Sequence, residues 1–236
     1  MAIVPDVCIL FEQGPCLALH KPGGILTQSA PGIDSLEIRI KAFLKQRDQL
    51  PGRVYLGVPH RLDRPSSGVL VVARHQRAAR RLSEQFQGRT VEKRYWAIME
   101  GQMEKPEGRW IDWLRKTPGT AHVEVVPKGT PGSREARLGY RVISQAAQFC
   151  CVEIQLETGR THQIRVQSAS RGHPLLGDFQ YGASQPFGPE SENPRSRWIA
   201  LHAHQLRFRH PVSWEKIEVN APLPAPWKAL GSGLDL

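Results

Sequence analysis

The sequence predicts an α+β fold: a mixed, largely antiparallel sheet with flanking helices. Three observations lead there. Nine or ten short stretches read as strands, and only three read as helices. Strands pair across short turns at both ends of the chain, over 7–20 and over 201–219. No internal repeat and no linker divides the 236 residues, so one domain is expected over 1–228, with a flexible tail over 229–236.

Residues 7–11 and 17–20 are apolar strands joined by a Gly14-Pro15 turn, and Lys21-Pro22-Gly23-Gly24 then breaks the pattern. Over 36–45, Leu36, Ile40, Phe43 and Leu44 recur at helical spacing behind an Asp34-Ser35 cap. Lys41, Lys45 and Arg47 fall on the opposite, solvated face. Val69-Leu70-Val71-Val72-Ala73 is continuously apolar, as a buried strand is. The second helix, 76–87, buries Ala79, Leu82 and Phe86. Its Arg77, Arg80 and Arg81, with Arg89 beyond, either grip a phosphate backbone or form an ordinary exposed face.

In the strand 91–99, alternation puts Lys93, Tyr95, Ala97 and Met99 on one face and Arg94, Trp96 and Ile98 on the other. A lysine beside a tyrosine on an inward face suits the wall of a site; the alternative is an edge strand with a snorkelling lysine. Further strands are expected at 109–114, 122–126, 138–142 and 149–156, and turn-rich basic loops at 116–119 and 127–132 flank the second of these. Those loops either close on a polyanionic partner like fingers or are plain hairpin ends. Gly159-Arg160-Thr161 opens a helix to about Ser170, closed by Gly172. The segment 184–197, with three prolines and little apolar content, reads as a long surface loop. A hairpin over 201–209 and 216–219 turns at 211–214, and the chain after Trp227 reads as loose.

Lysine and arginine outnumber the acids 32 to 22, a surplus of 10, and the pI of about 9.8 points to a polyanionic partner. Cys8, Cys16, Cys150 and Cys151 lack metal-type spacing and read as buried, reduced thiols of a cytoplasmic protein. No stretch is long and apolar enough for a membrane span, and the N-terminus, with Pro5 and Asp6 in its apolar run, is a poor signal peptide. His202-Ala203-His204 has the spacing of a metal pair on a strand, but no nearby acid or cysteine completes it, so a structural role is expected.

The loop ahead of the buried strand reads His60-Arg61-Leu62-Asp63-Arg64-Pro65-Ser66-Ser67-Gly68. Its one acid, Asp63, lies between two arginines, and no other carboxylate occurs from 53 to 76. Taken alone, this is either a turn in which Asp63 pairs with a neighbouring arginine or a reactive loop held by a rigid sheet.

These nine residues resemble the HRLD-x-x-[ST]-SG signature of the RluA-type pseudouridine synthases. Two further blocks match in order: Val91-Glu92-Lys93-Arg94-Tyr95, and Glu157-Thr158-Gly159-Arg160-Thr161-His162-Gln163-Ile164-Arg165 followed by Gly172-His173-Pro174-Leu175-Leu176-Gly177-Asp178. The resemblance runs from about Cys8 to about Pro224. It implies the pseudouridine synthase fold, with a catalytic cleft across the sheet, and an RNA uridine isomerase needing no metal or organic cofactor. Asp63 then resembles the catalytic carboxylate, Arg165 its guanidinium partner and Tyr95 the active-site tyrosine. Arg61 matches the position that fills the space left by an everted uridine, while His60 is expected to fix the loop. His60, Arg64, Lys93, Arg160 and His162, with Arg77, Arg80 and Arg81, complete the expected RNA-binding set. His162 and Arg165, three apart, are expected to share a helix face.

The sequence departs from the family pattern at His20, where an Asn is usual, at Pro65-Ser66, and over 167–170. Many relatives carry an RNA-binding domain ahead of the catalytic one; the pattern here begins within the first dozen residues, so a chain without that domain is expected. The implied partner is a stem-loop of tRNA or rRNA, tRNA slightly ahead, bound by a monomer. The competing hypothesis is a non-catalytic RNA-binding or ribosome-assembly protein on the same fold. A glycoside or phosphodiester hydrolase would need a second carboxylate or a metal cluster, which no motif supplies.

Overall fold

The structure is a computed structural model that describes residues 7–230; the readings of the first six residues and of 231–236 lie outside it. The chain forms two compact units. One holds the described residues up to Glu92 with Ala203–Pro222, the other Lys93–His202 with the described residues from Leu223 on.

In the first unit, strands β1 (Cys8–Gln13), β2 (Cys16–Lys21) and β3 (Ser67–Ala73) form antiparallel pairs in order. β9 (Leu201–Arg209) follows β3 in the sheet, contributing its residues from 203 on, and pairs with β10 (Lys216–Asn220). Helices α1 (Leu36–Arg47) and α2 (Gln76–Gln87) cover opposite faces. The period of two in β3 shows why its apolar run is unbroken. Val69, Val71 and Ala73 pack with Ala78, Ala79 and Leu82 of α2, while Leu70 and Val72 pack with Leu36, Ile40 and Leu44 of α1. The Ser35 hydroxyl caps α1 by accepting the Ile38 N–H, as the sequence predicts.

In the second unit the strand order is β4 (Glu92–Glu100), β8 (Phe149–Leu156), β7 (Arg134–Gln145), β5 (Glu107–Lys116) and β6 (Val123–Val126), each neighbouring pair antiparallel. β7 is twelve residues long, well beyond the predicted 138–142, because polar and arginine-rich ends continue the ladder without apolar alternation. Helix α3 is shorter than predicted, Gln163–Ala169, because His162 has φ +51 and stands in the left-handed region outside it. Trp227 has no exposed surface and anchors a last helix, α4 (Ala225–Leu230), where a loose chain is expected from the sequence. It packs against Phe187, Ile98 and Cys151. Cys16, Cys150 and Cys151 are buried thiols as expected, with burial pushing each upward; Cys8 is instead exposed, since β1 is an edge strand. The architecture is α+β and mostly antiparallel, and no helix among the described residues is long and apolar enough to cross a membrane.

Candidate active site

The Asp63 loop is clamped on both sides of the acid. Upstream, the Thr27 hydroxyl accepts the Leu62 N–H at 3.2 Å and donates to the Leu62 carbonyl at 2.8 Å. Downstream, the Lys21 ammonium donates to the carbonyls of Arg64 at 3.1 Å and Ser66 at 2.8 Å, and to that of Pro22 at 2.9 Å. Within the turn, the Ser66 N–H and hydroxyl both donate to the Asp63 carbonyl, at 3.2 and 2.9 Å. The backbone is thereby held at 62, 63, 64 and 66, and Asp63 itself is half-buried.

Lys21 is wholly buried, and burial pushes its ammonium down to about 7; the Asp63 carboxylate acts in the opposite direction and Arg64 reinforces the fall. The sequence reading takes Lys21-Pro22-Gly23-Gly24 as a turn and gives the lysine no task. Its task is to hold the loop, and no local signal in the sequence marks it as inward-facing.

His60 makes two contacts away from the loop. Its Nε2 accepts the Val71 N–H at 2.9 Å, and its ring stacks on Phe86 with centroids 4.2 Å apart. Arg61 is exposed and Arg64 half-buried. On α2, Arg77 and Arg80 are exposed, Arg80 pairing with Glu84 at 2.9 Å. Arg81 is turned inward: it donates to the Pro211 carbonyl at 2.7 Å and lies over the Trp214 ring. The face of four arginines expected from the sequence is thus divided between solvent and internal contacts.

In the second unit, Tyr95 is buried on β4 opposite Ile154, and the Lys93 ammonium lies 3.7 Å from where a side chain on Gly159 would begin. Arg160 donates from Nε to the Glu135 carbonyl at 2.9 Å. Arg165 is 4% exposed and meets Asp178, 2% exposed, through two parallel hydrogen bonds: Nε to Oδ2 at 2.6 Å and Nη2 to Oδ1 at 2.8 Å. Nη2 also donates to Gln180 Oε1 at 2.9 Å, and the Tyr181 ring lies 4.9 Å from the guanidinium carbon. A buried guanidinium is costly unless paired, so Asp178 is what makes a buried Arg165 tenable.

Asp178 is itself held firmly. The segment before it is strapped to β4 by the Glu100 N–H to the Pro174 carbonyl and the Leu176 N–H to the Ile98 carbonyl, both at 2.9 Å. At Gly177, φ is +85 and a Cβ would stand 2.5 Å from the Trp198 carbonyl oxygen, so only glycine fits there. The sequence block containing Asp178 was legible, yet the ion pair was not, because its two members meet only through the turn between α3 and that segment.

The expectation that His162 and Arg165 share a helix face fails, since His162 precedes α3 in a left-handed conformation. They meet by another route. His162 Nδ1 hydrogen-bonds the Tyr181 hydroxyl at 2.8 Å, and Arg165 packs on the same ring. His202 has no exposed surface and its ring lies 6.0 Å from that of Trp227, an environment of packing. Among the described residues no cluster of three or more His, Cys, Asp or Glu is placed to hold a metal ion.

Comparison with known proteins agrees with this arrangement of motifs. A family model described as RNA pseudouridylate synthase matches residues 15–170. The chain is 35% identical to an uncharacterized RNA pseudouridine synthase of Synechocystis, over 94% of this chain and 67% of the relative. It is 34% identical to the ribosomal large subunit pseudouridine synthase C of Vibrio cholerae, over 92% of this chain and 66% of the relative. The chain therefore spans about two thirds of the length of these relatives. The human RNA pseudouridylate synthase domain containing 4 shares the fold, with a TM-score of 0.79 at 23% identity over 97% of this chain and 93% of that one. With its ordered motifs, its fold and its matched residues in agreement, this chain belongs to the RNA pseudouridylate synthase family and is an RNA pseudouridine synthase.

Proposed function

We propose that the chain isomerises uridine in ribosomal RNA of the large subunit, with Asp63 as the catalytic carboxylate and Tyr95 and Arg165 as its partners in the chemistry. The reaction breaks the bond between N1 of uracil and the ribose C1′, turns the base, and joins C5 to C1′. The proton on C5 is lost and N1 gains one, so nothing is oxidised, hydrolysed or handed to another molecule. Attack on the anomeric carbon, attack on the base, and elimination through a glycal each require an ionised carboxylate held beneath the nucleoside. Tyr95 supplies a flat face for the base and a hydroxyl near its C5 proton. Arg165 supplies positive charge to a site in which the carboxylate must stay ionised.

The observation that carries the assignment of Asp63 is the double clamp of Thr27 and Lys21 around it. A carboxylate on an exposed turn needs no such fixing, whereas a reacting group must be aimed. Choosing ribosomal over transfer RNA rests on the relative of Vibrio cholerae, whose name places its action on the large ribosomal subunit.

Asp63→Asn is the test, since it keeps the size of the side chain and removes its charge. Pseudouridine mapped on rRNA from cells lacking the gene should reappear at one or a few positions with the wild-type protein. It should be absent with the variant, which still binds the RNA. If the variant restores the modification, Asp63 is not the catalytic group; if wild type modifies only tRNA, the substrate assignment falls.

A further inference from the structure

The β5–β6 hairpin and the Arg165–Asp178 pair are joined by two consecutive side chains of the short 3-10 turn Phe179–Tyr181. Gln180 reaches both ways: its Oε1 accepts from Arg165 Nη2 at 2.9 Å and its Nε2 donates to the Ala121 carbonyl at 3.3 Å. Tyr181 makes the same connection with different chemistry. Its phenol oxygen accepts the Val123 N–H at 3.0 Å and is hydrogen-bonded to His162 Nδ1 at 2.8 Å. Its ring covers the Arg165 guanidinium, and the His122 ring stacks on it with centroids 5.0 Å apart and planes 23° from parallel.

The hairpin turn is tied together by its own hydrogen bonds. The Thr117 N–H donates to the His122 carbonyl at 3.0 Å, and the His122 N–H donates to Thr120 Oγ1 at 3.1 Å. Lys116 and Lys128, at the two ends of the hairpin, are exposed cations suited to phosphates. On the other side, the two oxygens of Asp178 fix the guanidinium in its own plane, while the Tyr181 ring and the Gln180 amide resist its tilting.

We propose that Gln180 and Tyr181 are positioning residues that couple the seat of the basic β5–β6 hairpin to the orientation of Arg165, so that RNA held by the hairpin aligns the guanidinium for reaction. This inference rests on the reading above, that Arg165 acts at the reacting uridine. Both act through the arginine.

Two variants test it. Tyr181→Phe keeps the ring and removes the oxygen, and Gln180→Ala removes the amide at an exposed position. RNA affinity and the single-turnover rate with enzyme in saturating excess are measured on rRNA that the wild-type protein modifies, with melting temperature and amide exchange over 120–124. Coupling predicts that affinity stays within about twofold while the saturating rate falls between about tenfold and a hundredfold, as for a group displaced by a fraction of an ångström. The Val123 amide should also exchange faster in Tyr181→Phe. A saturating rate equal to wild type in both folded variants overturns the coupling, as does weaker RNA binding with the rate intact, which would leave these residues a purely structural or binding role. A wild-type chain inactive on every RNA counts against the enzymatic reading itself; an active wild type with unchanged variants counts against the coupling alone.

Discussion

Lys21 uses its three protons on three backbone carbonyls, two of them in the Asp63 loop, and does so with no exposed surface. In the folded chain it loses its proton near pH 7, whereas unfolded it keeps that proton to 10.5. Between these values the unfolded state binds more protons than the folded one, so this group makes the fold more stable as pH rises. Lys21→Met lacks the titration. The stability of wild type relative to Lys21→Met should therefore grow as pH is raised from about 7 towards about 10, measured by urea unfolding at each pH. A difference that stays flat over that range would show that the lysine keeps its charge despite burial. The same variant strands three carbonyls and loosens the loop, so its isomerisation should fall even where the fold persists. None of this was legible in the run Lys21-Pro22-Gly23-Gly24, since a lysine before a turn is ordinarily solvated. Asp63 stands out for the opposite reason: a lone acid among arginines, shortly ahead of the unbroken apolar run 69–73, is a visible anomaly in sequence.

Strand β3 and the loop ahead of it meet at Gly68, whose φ is +122. A Cβ there would stand 2.3 Å from the Ala203 carbonyl oxygen and 2.5 Å from the Ala203 nitrogen of β9. These are backbone atoms of a paired strand and cannot step aside as a flexible side chain can. Gly68→Ala should thus cost about 3 kcal/mol or more, read as a lower urea midpoint, and reduce isomerisation with it. A loss below about 1 kcal/mol would mean that β3 and β9 separate more easily than their packing implies. The elements themselves were legible where burial is two-sided or strictly periodic, as in β3, α1 and α2. Their limits were less so. β7 runs on through arginines and glutamates that pair across the sheet, such as Arg137 with Glu157 at 3.1 Å, and no apolar alternation marks those ends. α3 starts late because the left-handed turn at His162 places that ring on Tyr181, a tertiary contact with no local signature. The 3-10 turn that carries Gln180 and Tyr181 follows from the same kind of contact and was not expected.

The surplus of 10 positive charges is not spread evenly over the arginines. Arg109, Arg115, Arg137, Arg141 and Arg207 are tied to carboxylates in surface ion pairs. Arg61, Arg77, Lys116, Lys128 and Arg134 are exposed and, among the described residues, make no salt bridge. Charges of the second kind can displace counterions from a phosphate backbone without first breaking a pair, and they set how RNA affinity depends on salt. If four or more of them meet phosphates, the logarithm of the association constant should fall against the logarithm of salt concentration with a slope of about −3 or steeper. Asp63→Asn should keep that slope, because the substitution removes chemistry and one negative charge but no phosphate contact. The measurement is a binding titration of the same rRNA fragment at several potassium chloride concentrations, with wild type and variant side by side. A slope near zero would mean that the surplus charge faces away from the RNA. Base stacking and shape would then have to provide the affinity, and the basic composition would reduce to solubility.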